Sequence, residues 1–209
     1  MNQIEGRFLY SFFEYVKQKP VFSVYHNYID YDRDEEKKTF KIADCTVEPI
    51  EDKIDNEYNP AINIAINCHF YGISRDIIKN PLIFASLDVQ YRTPSYTIDF
   101  LLSSTDNFID NLKNKLGIEI DGHEWHEKNK EQAASDKKRE RDLLLGNIHI
   151  IRYTGSEAYT NPEKCVEESL KIFISMCYWK IREHESFYED IEIYKQKEFD
   201  EIMESKNGK

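Results

Sequence analysis

The sequence predicts an α/β protein: a mixed central sheet flanked by helices, with a small β insertion after the first helix and a charged helical tail at the end. Three observations lead there. The runs at 96–102 and 116–121 are rich in Ile, Leu and aromatics and alternate with a period of two, as half-buried strands do. A highly charged stretch from about Asn129 to Leu145 has the length of a helix and leads into another strand-like run at 148–153. Residues 162–182 then carry Val166, Leu170, Phe173, Ile174, Cys177 and Tyr178 at helical spacing, after an Asn161-Pro162 helix start.

In chain order, residues 1–20 form the first helix. Ile4, Phe8, Leu9, Phe12, Phe13 and Val16 make its apolar stripe over 3–18, and Pro20 ends it. Residues 21–80 are an acidic, β-rich insertion. Strands are expected at 21–25, 39–42 and 46–50, residues 30–36 make a solvated hairpin tip, and 61–80 fit strand or helix equally. Residues 81–182 are the core, whose first strand spans 82–91. A charged helical tail, 183–209, closes the chain.

The 209 residues are 40% hydrophobic and 32% charged, a composition typical of soluble globular proteins. No apolar run approaches the roughly eighteen residues a membrane span needs. The first residues lack a basic-then-apolar leader, so the expectation is a cytoplasmic protein without a membrane partner. Cys45, Cys68, Cys165 and Cys177 are scattered without a CxxC pair, which favours buried reduced thiols over a disulfide framework or a zinc knot. Net charge is −11. Residues 21–60 hold eleven acids against five bases, whereas 111–152 hold eight against nine. The core is thus near neutral, and local charge matters more than total charge for a polyanionic partner.

The chemistry gathers on the two acid-bearing runs. In the first, alternation sends Ile98, Phe100 and Leu102 to one face and Thr97, Asp99 and Leu101 to the other. In the second, Leu116, Ile118 and Ile120 oppose Glu119 and Asp121. Adjacent strands would bring Asp99, Glu119 and Asp121 onto one side of a sheet. Three crowded carboxylates repel one another unless a cation lies among them, and a hard divalent ion such as Mg²⁺ suits oxygen donors. The plainer alternative is a set of solvated strand ends.

The series Gln90…Tyr96-Thr97-Ile98-Asp99-Phe100, Ile118-Glu119-Ile120-Asp121-Gly122…His126, Asp136…Arg139, Gly146 and Ile151-Arg152-Tyr153 resembles the PD-(D/E)XK, or restriction-endonuclease-like, nucleases. The nearest likeness is a bacterial branch close to the very-short-patch-repair endonuclease. It covers roughly residues 86–175 and the first helix. Two positions depart from the pattern: no proline precedes Asp99, and Asp121 stands where the motif carries lysine.

The resemblance implies a metal-dependent phosphodiesterase acting on DNA, with RNA as the other candidate polymer, in a defence, repair or mobile-element setting. Asp99 and Glu119, with the backbone carbonyl of Ile120, would hold Mg²⁺ or Mn²⁺. Glu5 matches the first-helix acid that completes such a site, although a first-turn glutamate also suits the helix dipole by itself. His126 would serve as general base or orient the attacking water, and Asp121 would assist the metal or fix His126. Lys137 or Gln132 would replace the absent lysine, and Arg139 and Arg141 would contact phosphate. A zinc site of His123, His126 and Asp121 lacks a fourth ligand. The competing function is a catalytically degenerate nuclease fold serving as a nucleic-acid-binding or regulatory module. A protein partner would use the 21–60 insertion or the tail.

Overall fold

One sheet runs through the whole of the described chain. The computed structural model describes residues 1–30, 36–50, 61–70, 82–104, 114–121 and 130–181. Helix α1 (Gln3–Lys17) leads into β1 (Val21–Asp30), β2 (Glu36–Pro49), β3 (Ala61–Phe70), β4 (Leu82–Arg92), β5 (Thr97–Ser104) and β6 (Lys115–Asp121). Helix α2 (Lys130–Leu145), β7 (His149–Thr154) and α3 (Gly155–Thr160) follow, and residues 162–181 are helical again (α4). The fold is therefore α/β, with a mixed seven-stranded sheet. The 183–209 tail, the 31–35 hairpin tip and the loop before β6 fall outside the described residues.

Strand order equals chain order, β1 to β7. Every neighbour pair from β1 to β6 is antiparallel, and β6 and β7 are parallel. A parallel pair needs a long crossover, which is why α2 lies between those two strands. The ambiguous 61–80 stretch contributes β3, which joins β2 to β4, so the strands of the 21–80 segment continue the same sheet as those of the core. None of the described helices is long and apolar enough to cross a membrane.

Local signals set the helix ends. Asn2 caps α1: its side-chain oxygen accepts the N–H groups of Ile4 and Glu5, and the Glu5 carboxylate accepts the Asn2 N–H. Thr154 and Glu157 repeat this capping box at α3, a short helix that hydrophobic periodicity does not reveal.

Two apolar cores lie on the two sides of the sheet. The larger gathers Phe8, Phe12 and Val16 of α1 with Phe100, Leu102, Leu116, Ile118 and Ile120 of the strands, and with Val166, Leu170, Phe173 and Tyr178 of α4. The Phe8 and Phe100 rings meet at 5.0 Å. The smaller core joins Ile98 and Leu101 to Leu143 of α2 and to Ile148, with Tyr91, Tyr96 and Ile150 around it.

This division corrects one expectation. Strict alternation puts Ile98 with Phe100 and Leu102, yet Ile98 packs with Leu101 on the α2 side. The cause is a break in the pleat. Val89 pairs with Phe100 in the larger core, and Tyr91 pairs with Ile98 beside the smaller one. Between those pairs stand Gln90 and Asp99, and Gln90 has φ 50°, in the left-handed region. Both strands change face at that step.

Gly117 fits the smaller core for a steric reason. A Cβ there would push aside the terminal Cδ1 of Ile150 and come within 3.2 Å of Ile98 Cγ2, and the two methyls of a valine would crowd both further. Overpacking of this kind costs about 1–3 kcal/mol, more than the roughly 1 kcal/mol that valine gains over glycine in a strand. Gly117→Val is expected to lower Tm by several degrees in a thermal melt; an unchanged Tm would show that the α2 side of the sheet can yield.

Candidate functional site: an acid cluster between two helices

The last β5–β6 pair is Phe100 with Ile118, and continuing that register by one residue sets Asp99 across from Glu119. The strands have begun to part there, because the Ile120 N–H points to the Asp99 side chain and donates to Oδ2 at 2.9 Å. The other oxygen, Oδ1, has no hydrogen-bond partner among the described residues. Glu119 is buried at 6% exposure. It lies beside Arg152, its partner in the parallel β6–β7 ladder, whose Nε is 3.3 Å from Glu119 Oε2.

Arg139 of α2 completes the arrangement. Its Nη1 donates to Glu119 Oε2 at 2.8 Å, and its Nη2 bonds the second carboxylate oxygen, a fork-on-fork pairing. Nη2 also donates to the Thr97 carbonyl at 2.8 Å, tying α2 to the start of β5. The guanidinium carbon lies 5.6 Å from the centre of the Tyr96 ring, and the Tyr96 hydroxyl donates to Asp142 Oδ2 at 2.6 Å. Arg152 Nη2 is 3.6 Å from Glu140 Oε1, which links α2 to β7.

From the opposite side of the sheet α1 supplies Glu5, 7% exposed. Its carboxylate accepts from the Asn2 backbone and side chain, and Gln90 Nε2 donates to its Oε2 at 3.1 Å. Gln90, whose backbone makes the face change, thus also ties α1 to the acid cluster.

The electrostatics follow from this crowding. Burial pushes the Asp99 carboxyl above its ordinary range; the Ile120 hydrogen bond opposes the rise, the charges of Glu5 and Glu119 add to it, and Arg139 reduces it. Burial disfavours the Arg139 cation, but its hydrogen bonds to Glu119 and the charges of Glu119, Asp99 and Asp136 outweigh that, so its pKa is held above the ordinary value. Among the described residues no group of three His, Cys, Asp or Glu side chains is arranged as a finished metal cage.

The expected site residues divide into three groups. Asp99, Glu119, Ile120 and Glu5 come together, although Ile120 is engaged through its N–H. Asp121, half-buried, ends β6 beside Thr154. Arg139, expected on phosphate, turns inward to Glu119, while Lys137 and Arg141 are exposed on α2. His123 and His126 lie outside the described residues, as does the side chain of Gln132. Sequence reasoning gave no role to Arg152 or Gln90. A charge within the otherwise apolar β7 run was a usable signal for Arg152; nothing in the sequence announces the left-handed backbone of Gln90.

Compared with protein-family models, curated proteins and solved structures, the chain matches none of them.

The pairing makes a stability prediction. Glu119→Gln leaves two guanidinium groups facing a neutral amide, and breaking a buried pair on one side costs about 3 kcal/mol or more. Arg139 retains 20% exposure, which reduces this to roughly 2–3 kcal/mol. Urea denaturation should show the unfolding free energy falling by that amount, read as a lower midpoint at constant m value. Lys138→Gln, on the exposed side of the same helix, should change stability by no more than about 0.5 kcal/mol.

Proposed function

We propose that this protein is a metal-dependent nuclease of the restriction-endonuclease-like kind, hydrolysing phosphodiester bonds in DNA. One observation carries the reading: Asp99 is held half-buried beside two further carboxylates, its pKa raised, with a single backbone N–H as its hydrogen-bond donor among the described residues. Acids kept where their charge is unfavourable cluster at functional sites.

The residues suit a hard divalent cation such as Mg²⁺ or Mn²⁺. Asp99 Oδ1 is an uncommitted oxygen among the described residues, and the Ile120 carbonyl adds a neutral one. Each Glu119 oxygen has two lone pairs, of which Arg139 takes one. When bound, such a cation supplies charge neutralisation at the scissile phosphate and acidifies the attacking water. Asp99 and Glu119 hold the cation, and Arg139 with Arg152 fixes the angle at which Glu119 presents itself. Glu5, linked to β4 through Gln90, adds negative charge from the α1 side. In this reading His126 takes the proton of the water, Asp121 supports His126 or the cation, and Lys137 and Arg141 meet phosphates along the outer face of α2.

A second reading has one observation in its favour. Arg139 already neutralises Glu119 with both arms of its fork, as would suit a nuclease fold that binds nucleic acid or regulates without cleaving.

Asp99→Asn separates the two. It keeps the shape, removes the charge and relieves the repulsion from Glu5 and Glu119, so Tm should hold or rise. Cleavage of plasmid and single-stranded DNA with Mg²⁺ should fall by at least about 10²-fold, as for loss of a charge-stabilising group. Cleavage by purified wild-type protein that persists undiminished in Asp99→Asn would rule out this site. No cleavage by wild type with either metal would favour the binding module.

A further inference from the structure

We infer that Arg139 is a built-in counter-cation that positions Glu119 and competes with a divalent cation for its carboxylate. The inference rests on the metal-dependent reading above and concerns how that site is kept before a metal arrives.

Three features support it. First, the fork occupies the inner lone pair of both Glu119 oxygens, so a cation that chelates the two oxygens must displace the fork, and one that takes a single oxygen shares it with an arm. Second, Arg139 is held by more than Glu119. The Thr97 carbonyl and the Tyr96 ring bracket it, and Asp142, one turn further along α2, anchors that ring. The guanidinium therefore has a place to remain when one arm is released. Third, Arg152 stays beside Glu119 at 3.3 Å on a different element, so Glu119 is not stranded if Arg139 gives way. Without Arg139, Glu5, Asp99 and Glu119 lose a cation that acts on two of them, and an external cation becomes the better remedy for their repulsion.

The test measures metal binding and needs no turnover. Metal-stripped wild type, Arg139→Gln, Arg139→Lys and Lys138→Gln are titrated with Mn²⁺ by calorimetry, and each is melted in chelator. Arg139→Gln is expected to bind Mn²⁺ on the order of tenfold or more tightly than wild type, the equivalent of one charge-assisted hydrogen bond no longer in competition. Its Tm without metal should fall, and Mn²⁺ should restore more of it than in wild type. Arg139→Lys, which keeps the charge and loses the fork, should bind with intermediate affinity, and it carries the test if the glutamine variant does not fold. Lys138→Gln should match wild type. Wild-type binding with equal or weaker binding in both Arg139 variants would overturn the competition and leave the nuclease reading intact. Binding that appears only in the Arg139 variants would support the competition and count against a metal-dependent enzyme. No binding in any of them would overturn both.

Discussion

Carboxylates removed from water must find counter-charge or donors, and the architecture around β5 and β6 is organised by that constraint. Three acids meet it in three ways. Glu5 is served mainly by neutral donors, the Asn2 backbone and amide and the Gln90 amide, with the N-terminal ammonium 3.9 Å from its Oε2. Glu119 is served by guanidinium, with Arg139 on both oxygens and Arg152 beside it. Asp99, among the described residues, receives one backbone N–H and feels the charges of the other two. Compensation is thus most complete at Glu119 and least at Asp99. The same contacts hold the fold together. The pair to Glu119 helps dock α2, with the Thr97, Tyr96 and Arg152 contacts, because Leu143 is the one fully apolar anchor of that helix among its described buried residues.

The break at Gln90 and Asp99 explains how helices on opposite sides of a sheet reach one carboxylate. In an uninterrupted pleat Asp99 would belong to one face. Where both strands change face, it lies between α1, which brings Glu5, and α2, which brings Arg139. A non-glycine residue in the left-handed region costs of order 1–3 kcal/mol. Here the flanking pairs Val89–Phe100 and Tyr91–Ile98, each set in a different core, impose it. The Gln90 side chain offsets part of that cost through its bond to Glu5.

Much of this was legible in the sequence, and what was missed has physical causes. Alternation and β-branched content located β4 to β7, and the Asn2–Glu5 pair is a capping box that can be read directly. Asp99 and Glu119 stand out in the sequence because each interrupts an apolar strand. The face of Ile98 was misjudged because strict alternation assumes a continuous pleat, and one residue with positive φ resets it. Arg139 was expected outward because α2 is charged all round, which hides its phase. The signal was Leu143: Arg139 lies one turn before it, on the same face, whereas Lys137 lies six residues back and points away. A single buried leucine fixed which cation of the helix meets the acids.

The difference between an enzyme and an inert fold then depends on a balance of similar quantities. A hydrogen bond to a charged group contributes about 1.5–3 kcal/mol, and a cation bound at about 1 mM corresponds to roughly 4 kcal/mol. Neither dominates, so the remaining oxygens decide. In the proposed site, Asp99 and the Ile120 carbonyl would favour the cation. A phosphate entering the cluster would favour it further, because it adds anionic oxygens for the metal and gives the displaced arm of Arg139 a partner of matching geometry. Metal and substrate would then strengthen each other's binding by the same factor, as linkage requires. In the proposed nuclease, Arg139 would keep the acids neutralised and the site in shape until a substrate arrives.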